Sequence, residues 1–373
     1  MKSTAQEKLN VLVVDDSAVV RRFMTTILSQ DRGLEVFTAA DPFIAMRKME
    51  QTRPDVILLD VEMPRMDGLT FLRKIMTEDP IPVVICSGLA GRGTKTAIEA
   101  LSHGAVEIVT KPKLGVQEFL QESALMLIDT VYAAAQARIR QKARFRLPVG
   151  ARLTADAVLP PASRIPMGLE SQKIVAIGSS TGGPEALEIV LRALPAGAPG
   201  VAVVQHMPSP FTTAFAERLD RVCKVRVKEA QEGDRLDEGT VLIAPGDRHL
   251  MLVNEVRGYS ARLIAGPLVS RHRPSVDVLF RSVAQAAGRN AIGVIMTGMG
   301  DDGVQGLLEM KAAGALTAAQ NEQSCVVFGM PKAAIARDAV RDVLPLSEIP
   351  AYIMKKAVAP SLVGRRRVKT VSL

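Results

Sequence analysis

The sequence predicts an α/β protein with two doubly wound, parallel-sheet domains joined by a linker. Three observations lead to this class. Short runs rich in Val and Ile alternate with segments of helical periodicity, this alternation occurs twice, and a stretch rich in Arg, Ala and Pro separates the two occurrences. Strands that alternate with helices form parallel sheets whose faces the helices cover. At 373 residues the chain is long enough for two or three domains.

The first alternation predicts five buried strands and occupies residues 9–125. Its apolar runs have strand length and lie at residues 11–14, 34–37, 56–59, 81–86 and 105–109. Between the first two runs, Val20, Phe23 and Ile27 recur at helical spacing after Ser17, a residue suited to an N-cap. Asp41 followed by Pro42 predicts the start of the next helix.

Residues 126–170 are predicted to be a helical extension followed by a basic linker, because Pro and Arg interrupt the alternation there. A second α/β domain is predicted over residues 171–360, and a basic tail over 361–373. The predicted strands of this domain lie at residues 173–177, 201–204, 225–227, 241–244 and 292–296. A hairpin between residues 240–244 and 249–253 is also predicted, around Pro245, Gly246 and Asp247.

Composition excludes several classes of protein. The net charge of +8 is concentrated in residues 138–164, which have seven basic residues against one Asp, and in the tail, which has four. The rest of the chain is therefore near neutral, and with 3% aromatic residues and no Trp it does not resemble a nucleic-acid-binding protein. No apolar run is long enough for a membrane span or a signal peptide, so a cytoplasmic protein is expected. The three cysteines are far apart, which argues against a disulfide framework or a zinc site.

Three carboxylates follow strands of the first predicted sheet. Asp15 and Asp16 close its first strand and Asp60 its third. Because the carboxyl ends of parallel strands share one edge, these acids are expected to lie together, where they would suit Mg²⁺. Ser87 and Lys111, which end the fourth and fifth strands, add a hydroxyl and a cation suited to holding a phosphoryl group on a carboxylate.

These residues resemble the receiver domain of two-component response regulators. The likeness rests on the acidic pair, the loop from Asp60 through Gly68, Ser87, and Lys111 followed by Pro112. It implies a flavodoxin-like fold in which a sensor histidine kinase phosphorylates Asp60. The ligands that it implies for Mg²⁺ are Asp16, Asp60 and the Glu62 carbonyl, assisted by Asp15. Receivers of this family place an aromatic residue where this chain has Ile108, three positions before the lysine.

A nucleophile is predicted in the second domain. Gly178, Ser180 and Gly182 fit the pattern G-x-S-x-G between a predicted strand and a predicted helix, which presents a serine hydroxyl beside backbone N–H groups. The same glycines are also compatible with a phosphate-binding loop, although no lysine follows as in a P-loop.

Ser180 requires a base, and the chain has four histidines. His206 is predicted to be that base because it ends a neighbouring strand, with His249 as the alternative. His103 and His272 are predicted to be solvated. An acid must fix the tautomer of the base, and a Gly-rich turn after the strand at 292–296 supplies Asp301 and Asp302.

Together with the receiver-like segment, these motifs resemble the chemotaxis protein-glutamate methylesterase family. The resemblance implies a Rossmann-like serine hydrolase domain without a cofactor, in which Ser180, His206 and Asp302 form a triad and Thr181 and Met299 line the site. It also implies that phosphorylation activates hydrolysis of glutamyl methyl esters, and deamidation of glutamines, on chemoreceptor helices. The alternative from the residues alone is a receiver coupled to a non-enzymatic interaction module whose Ser-Gly loop binds an anion.

Overall fold

The computed structural model describes residues 8–88, 92–111, 117–137, 152–161, 173–256 and 258–357. Most of the basic linker and the whole basic tail lie outside these residues. Within them, no helix combines the length and apolarity needed to cross a bilayer.

The first part of the chain is a five-stranded parallel sheet. Its strands are β1 (Leu9–Val14), β2 (Leu34–Ala39), β3 (Val56–Asp60), β4 (Val83–Ser87) and β5 (Glu107–Thr110), in the order β2-β1-β3-β4-β5. Its helices are α1 (Ala18–Leu28), α2 (Pro42–Gln51), α3 (Gly68–Glu78), α4 (Arg92–Ser102) and α5 (Gln117–Ala135). Alternate residues of β1 enter different apolar clusters, Leu12 on one side and Val13 on the other, because successive side chains of a strand point to opposite faces. Both faces of the sheet are thus covered, as a doubly wound fold requires.

The second part is a seven-stranded parallel sheet, so the predicted fold class is confirmed. In spatial order its strands are β14 (Asp342–Leu344), β13 (Leu316–Gln320), β12 (Ala291–Ile295), β6 (Ile174–Ser179), β7 (Val201–Gln205), β9 (Thr240–Ile243) and β8 (Arg226–Glu229). The helices around it are α6 (Gly183–Ala193), α7 (Phe211–Val222), α8 (Val276–Ala287), α9 (Val304–Ala312), α10 (Met330–Ala336) and α11 (Ile349–Ala357). After β6, the chain adds β7, β8 and β9 on one side of it, and then adds β12, β13 and β14 on the other side. The order therefore reverses between β6 and β12, which is where sheets of this kind bind ligands.

The predicted hairpin around Pro245 is wrong. Strand β9 pairs in parallel with β7 and β8 inside the large sheet. The antiparallel hairpin is instead formed by β10 (His249–Glu255) and β11 (Gly258–Ile264). The Pro-Gly-Asp sequence does make a turn, but it connects two sheets. The turn residues are local, whereas the partner of β9 is chosen by burial of Val241 and Ile243 in the core.

The two sheet domains are in contact. Helix α4 packs against α6 and α7. The described piece of the linker, residues 152–161, packs on the second domain, where Arg281 binds the Asp156 carboxylate and the Leu159 carbonyl. This piece is therefore a bound segment of the surface.

Candidate functional site

The three acids predicted to lie together in the first domain do so. One side-chain oxygen from each of Asp15, Asp16 and Asp60 lies within 4.8 Å of the others. The Lys111 ammonium is 2.9 Å from Asp15 Oδ2 and 2.7 Å from Asp60 Oδ2. These two oxygens are buried and receive no well-directed hydrogen bond from any described residue. Ser87, at the end of the neighbouring strand β4, is fully buried.

The surroundings of this cluster fit a hard divalent cation. Burial raises the pKa of Asp60, although Lys111 and the Glu62 N–H oppose the shift. A buried carboxylate oxygen without a hydrogen-bond donor, such as Asp15 Oδ2 or Asp60 Oδ2, is costly, and an oxygen-seeking ion such as Mg²⁺ relieves that cost. The Glu62 N–H donates to Asp60 Oδ1 at 3.2 Å, which places the backbone of Glu62 beside the cluster.

Ser180 is the first residue after β6, on the turn into α6. Its N–H donates to the Thr297 carbonyl at 3.0 Å, which ties the turn to the loop after β12. Gly298 in that loop approaches so closely that a Cβ there would be 2.7 Å from the Cβ of Ser180. The turn itself requires Gly182, whose φ is +75°. The glycines of both motifs therefore allow two sheet-edge loops to meet at the serine.

His206 and Asp302 are brought together from β7 and the loop after β12. His206 Nε2 lies 2.8 Å from Asp302 Oδ2. His206 Nδ1 is buried and has no hydrogen-bond partner among the described residues. No hydrogen bond joins Ser180 to His206 within the described part of the chain.

The Asp302 carboxylate lies at the N-terminus of α8. Besides His206, its donors are the Ser275 hydroxyl and the N–H groups of Val276 and Asp277, at 2.8, 2.7 and 3.1 Å. Burial favours the protonated acid, but the hydrogen bond and charge of His206, together with the Val276 N–H, outweigh it and hold the pKa of Asp302 below its ordinary range. The result is a fixed anion beside His206.

The neighbouring acid, Asp301, points elsewhere. Its side chain is 50% exposed and pairs with Arg152 of the linker segment at 2.5 Å. Of the two acids in the Gly-rich turn, Asp302 is therefore the one that contacts His206.

The prediction that His272 is solvated is wrong. Its ring stacks on that of His206, with centroids 3.6 Å apart and planes within 5°. Burial, followed by the charge of His206, lowers the pKa of His272 to about 3, so the ring is neutral. The stack fixes the plane of the His206 ring.

The alternative base, His249, is not available for catalysis in this geometry. Its Nε2 faces the Pro267 carbonyl at 2.9 Å, and its Nδ1 accepts the Ser275 N–H at 3.2 Å. Both ring nitrogens are thus committed, and the ring supports the residue that holds Asp302.

A cavity of about 290 Å³ contains Ser180, His206 and Asp302, and the first domain forms part of its wall. Thr181 and Met299 line it, as do Glu107 and Ile108 of β5 and Asp129 of α5. The Gly182 N–H donates to the Val106 carbonyl at 3.2 Å, and the Thr181 hydroxyl donates to the Glu107 carboxyl. Burial raises the pKa of Glu107 to about 8, despite this bond and the Ile108 N–H.

Sequence reasoning missed Glu107, His272 and Arg271 as residues of this cavity. Glu107 had a signal, because a carboxyl group inside an otherwise apolar strand requires a partner. His272 and Arg271 had none, since their place depends on contacts with residues far away in the sequence.

Two family models match the chain. The CheB methylesterase family matches residues 175–353, and the response regulator receiver domain matches residues 11–122.

Similar proteins are known from several bacteria. The chain is 53% identical over 351 residues to "Protein-glutamate methylesterase/protein-glutamine glutaminase 3" of Geobacter metallireducens, a match that covers 94% of this chain and 99% of that protein. It is 55% identical over 357 residues to a protein of the same description, numbered 2, from Rhodospirillum rubrum, covering 93% and 98% of the two chains. The crystal structure of the Thermotoga maritima CheB methylesterase catalytic domain matches with a TM-score of 0.49 and 41% identity, covering 50% of this chain and 98% of that one.

Proposed function

The chain belongs to the CheB methylesterase family and carries a receiver domain, and from this premise we propose that it is a phosphorylation-activated protein-glutamate methylesterase and protein-glutamine glutaminase. Its substrates are methylated glutamyl side chains of chemoreceptors, and its kinase is a sensor histidine kinase. The proposed receiver domain, residues 9–125, is completed by the helical extension through the end of α5, which packs on its sheet, and the proposed catalytic domain is residues 171–360. The observation that supports the enzymatic function best is the 2.8 Å contact between His206 and Asp302 in the cavity that holds Ser180.

The proposed reaction has two halves. Ser180 attacks the ester carbonyl while His206 takes its proton, and methanol, or ammonia from an amide, leaves with that proton. Water then attacks the acyl-enzyme by the same steps and releases glutamate and Ser180. Asp302 stabilises the imidazolium that forms in each half.

Thr181 and Met299 are suited to stabilise the negative oxygen of each transition state. Within the described residues, their backbone N–H groups donate to no other protein group. Both residues line the cavity beside Ser180. Free N–H groups aimed at a reacting carbonyl oxygen make the largest electrostatic contribution in many acyl transfers.

The receiver part of the proposal assigns the phosphoryl group to Asp60. Asp15, Asp16, Asp60 and the Glu62 carbonyl would hold Mg²⁺, which supplies positive charge to the phosphoryl oxygens. Ser87 and Lys111, at and just after the ends of β4 and β5, would contact the phosphoryl group. Ile108, which occupies the aromatic switch position, is buried and lines the catalytic cavity.

Phosphorylation acts, in this proposal, by separating the two domains. The contacts of Val106, Glu107 and Asp129 with the loops around Ser180 support a closed, inhibited arrangement. A phosphoryl group shifts the balance only by its differential interaction with the closed and open forms.

Methanol release from methylated chemoreceptor membranes tests the function. The full chain is expected to release methanol, faster with a small phosphodonor and Mg²⁺, whereas a fragment from Ser171 onward should be fast without the donor and indifferent to it. A chain that binds these membranes but releases no methanol would instead be a non-enzymatic module.

A further inference from the structure

The loop of residues 268–274 holds an arginine at the edge of the cavity. Ser270 and Arg271 have φ values of 51° and 70°, a left-handed conformation that non-glycine residues adopt only when their surroundings enforce it. Val269 and His272 exchange backbone hydrogen bonds at 3.0 and 2.8 Å, and the Ser270 N–H donates to the Leu153 carbonyl at 2.8 Å. The loop is therefore fixed at the cost of backbone strain, which is typical of functional segments.

This conformation directs two adjacent side chains to different places. His272 is half-buried and stacks on His206, whereas Arg271 reaches the wall contributed by the first domain. Arg271 Nη1 lies 2.8 Å from Asp129 Oδ2 on α5, and the two side chains are 18% and 30% exposed. A carboxylate from outside the catalytic domain thus reaches Arg271 inside the cavity that contains Ser180.

Arg271 differs from the other two arginines that line this cavity in the described residues. Arg152 pairs with Asp301, and Arg273 donates to the Gly266 carbonyl at 2.5 Å. Both of those partners lie in the catalytic domain and stay in place when the domains separate. Arg271 instead loses the carboxylate of Asp129, so opening the domains exposes a guanidinium at the mouth of the catalytic cavity.

Resting on the proposed function, we propose that Arg271 binds a carboxylate of the receptor segment beside the ester under hydrolysis, and that Asp129 occupies the same position in the unphosphorylated protein. A guanidinium fork is matched to a carboxylate and pairs with it more specifically than an ammonium does. The substrate class is accordingly an acidic peptide segment that carries a glutamyl ester. Asp129 and the receptor carboxylate exclude each other, so the receiver inhibits by competing for a substrate-binding residue as well as by covering the cavity.

The test uses the full chain, methylated chemoreceptor membranes and methanol release. With saturating phosphodonor, Arg271→Ala should raise KM about fivefold or more and leave kcat within about twofold, because the residue lies outside the triad. Arg271→Lys should recover part of the loss, since it keeps the charge without the fork. Arg262→Ala, at an exposed position of hairpin strand β11, is the matched control and should change neither constant.

A charge exchange separates the two roles of Arg271. Asp129→Asn should raise the activity of the unphosphorylated chain severalfold and leave KM of the phosphorylated chain unchanged. The double variant Arg271→Asp with Asp129→Arg should restore low unphosphorylated activity, because the interdomain pair is rebuilt, yet keep the raised KM.

An unchanged KM in phosphorylated Arg271→Ala and in the double variant would overturn the inference. If Arg271→Ala does not fold, as judged by thermal unfolding, the same comparison is made with Arg271→Lys and Arg271→Gln, and equal KM values there overturn it as well. If the wild-type chain releases no methanol, the proposed function itself fails, an outcome distinct from failure of this inference.

Discussion

Asp60 and Asp302 are both buried at the carboxyl edge of a parallel sheet, but their surroundings differ. Asp302 accepts hydrogen bonds on both oxygens, from a histidine, a serine hydroxyl and two backbone N–H groups. Among the described residues, Asp60 accepts one backbone hydrogen bond, and its Oδ2 has only the nearby charge of Lys111. The pKa of Asp302 is accordingly lowered and that of Asp60 raised.

The difference follows from what each acid is proposed to do. An acid that orients a base must remain an anion through every turnover, so protein donors fix it permanently. An acid that accepts a phosphoryl group beside a cation must keep free oxygen lone pairs, and the folded protein bears the cost of burying them.

The largest expected effect concerns the catalytic side of this comparison. Ser180→Ala and His206→Ala should each reduce methanol release by a factor on the order of 10⁴, because triad members act as a unit. Chelation of Mg²⁺ should prevent phosphorylation but leave methanol release by the unphosphorylated wild-type chain unchanged. Residual activity of Ser180→Ala within tenfold of wild type would contradict the assignment of the nucleophile, and a greater loss in His249→Ala than in His206→Ala would contradict that of the base.

Isosteric amides at the two acids should change stability in opposite directions. Asp302→Asn leaves buried N–H donors facing an amide and should lower the free energy of unfolding by about 2 kcal/mol. The same change should slow hydrolysis, because it removes the anion beside His206. The pKa of Asp60 is raised in the folded protein, so its ionised form destabilises the fold near pH 7. Asp60→Asn removes that charge and should raise the melting temperature by a few degrees near pH 7. Near pH 3, where the carboxyl group is already protonated, the melting temperature should not rise. Thermal unfolding at both pH values tests this, and a fall in melting temperature for both variants would contradict the comparison.

Asp60→Asn should also abolish the response to a phosphodonor without lowering unphosphorylated hydrolysis. Intact-mass measurement of the donor-treated variant would show the absence of the phosphoryl group. A phosphoryl group still present in the variant would place the site elsewhere.

The two exposed acids of the receiver edge allow a smaller, paired test. Asp16→Ala should weaken Mg²⁺ binding about tenfold or more, since Asp16 lies in the acidic cluster. Asp67→Ala should leave Mg²⁺ affinity unchanged and cost about 1 kcal/mol of stability, because Asp67 is the N-cap of α3 and accepts the Thr70 N–H. Calorimetric titration and thermal unfolding separate these outcomes, and equal losses of affinity would contradict the metal assignment.

The smallest expected effect is a pH dependence of domain closure from Glu107. Its pKa of about 8 in the closed form exceeds that of an exposed carboxyl group, so the closed form binds the proton more tightly. The closed form should therefore lose relative stability as the pH rises from about 5 to about 8, and unphosphorylated hydrolysis should rise severalfold relative to phosphorylated hydrolysis.

The ratio of the two rates across that pH range is the measurement, because it cancels any pH effect on hydrolysis that both forms share. Glu107→Gln should abolish the rise, whereas Glu99→Gln, at an exposed position on α4, should retain it. A rise that persists in Glu107→Gln would assign the dependence to another group.

Strand positions and the site motifs were predictable from sequence because both are local patterns. The run at 56–59 lies inside β3, and Ser180 follows its strand, as the pattern G-x-S-x-G indicates. Strand β13, the pairing of β9 and the stacking of His272 on His206 were not predictable, because each depends on contacts between distant parts of the chain. The interface around Glu107 was not predictable either: a carboxyl group in an apolar strand indicates that it has a partner, but nothing in the local pattern places that partner in the other domain.

The docked linker segment also limits how far the receiver can move away. Residues 152–161 are held to the catalytic domain through Arg152 and Asp156, and the described receiver helix region ends at Ala137. Whatever path the chain takes between Ala137 and Arg152, it cannot exceed about 50 Å. Because of this short tether, the effective concentration of the receiver at the catalytic cavity is on the order of millimolar. A receptor segment must outcompete that concentration at every encounter, so turnover depends on how densely receptors are gathered around the enzyme as well as on phosphorylation.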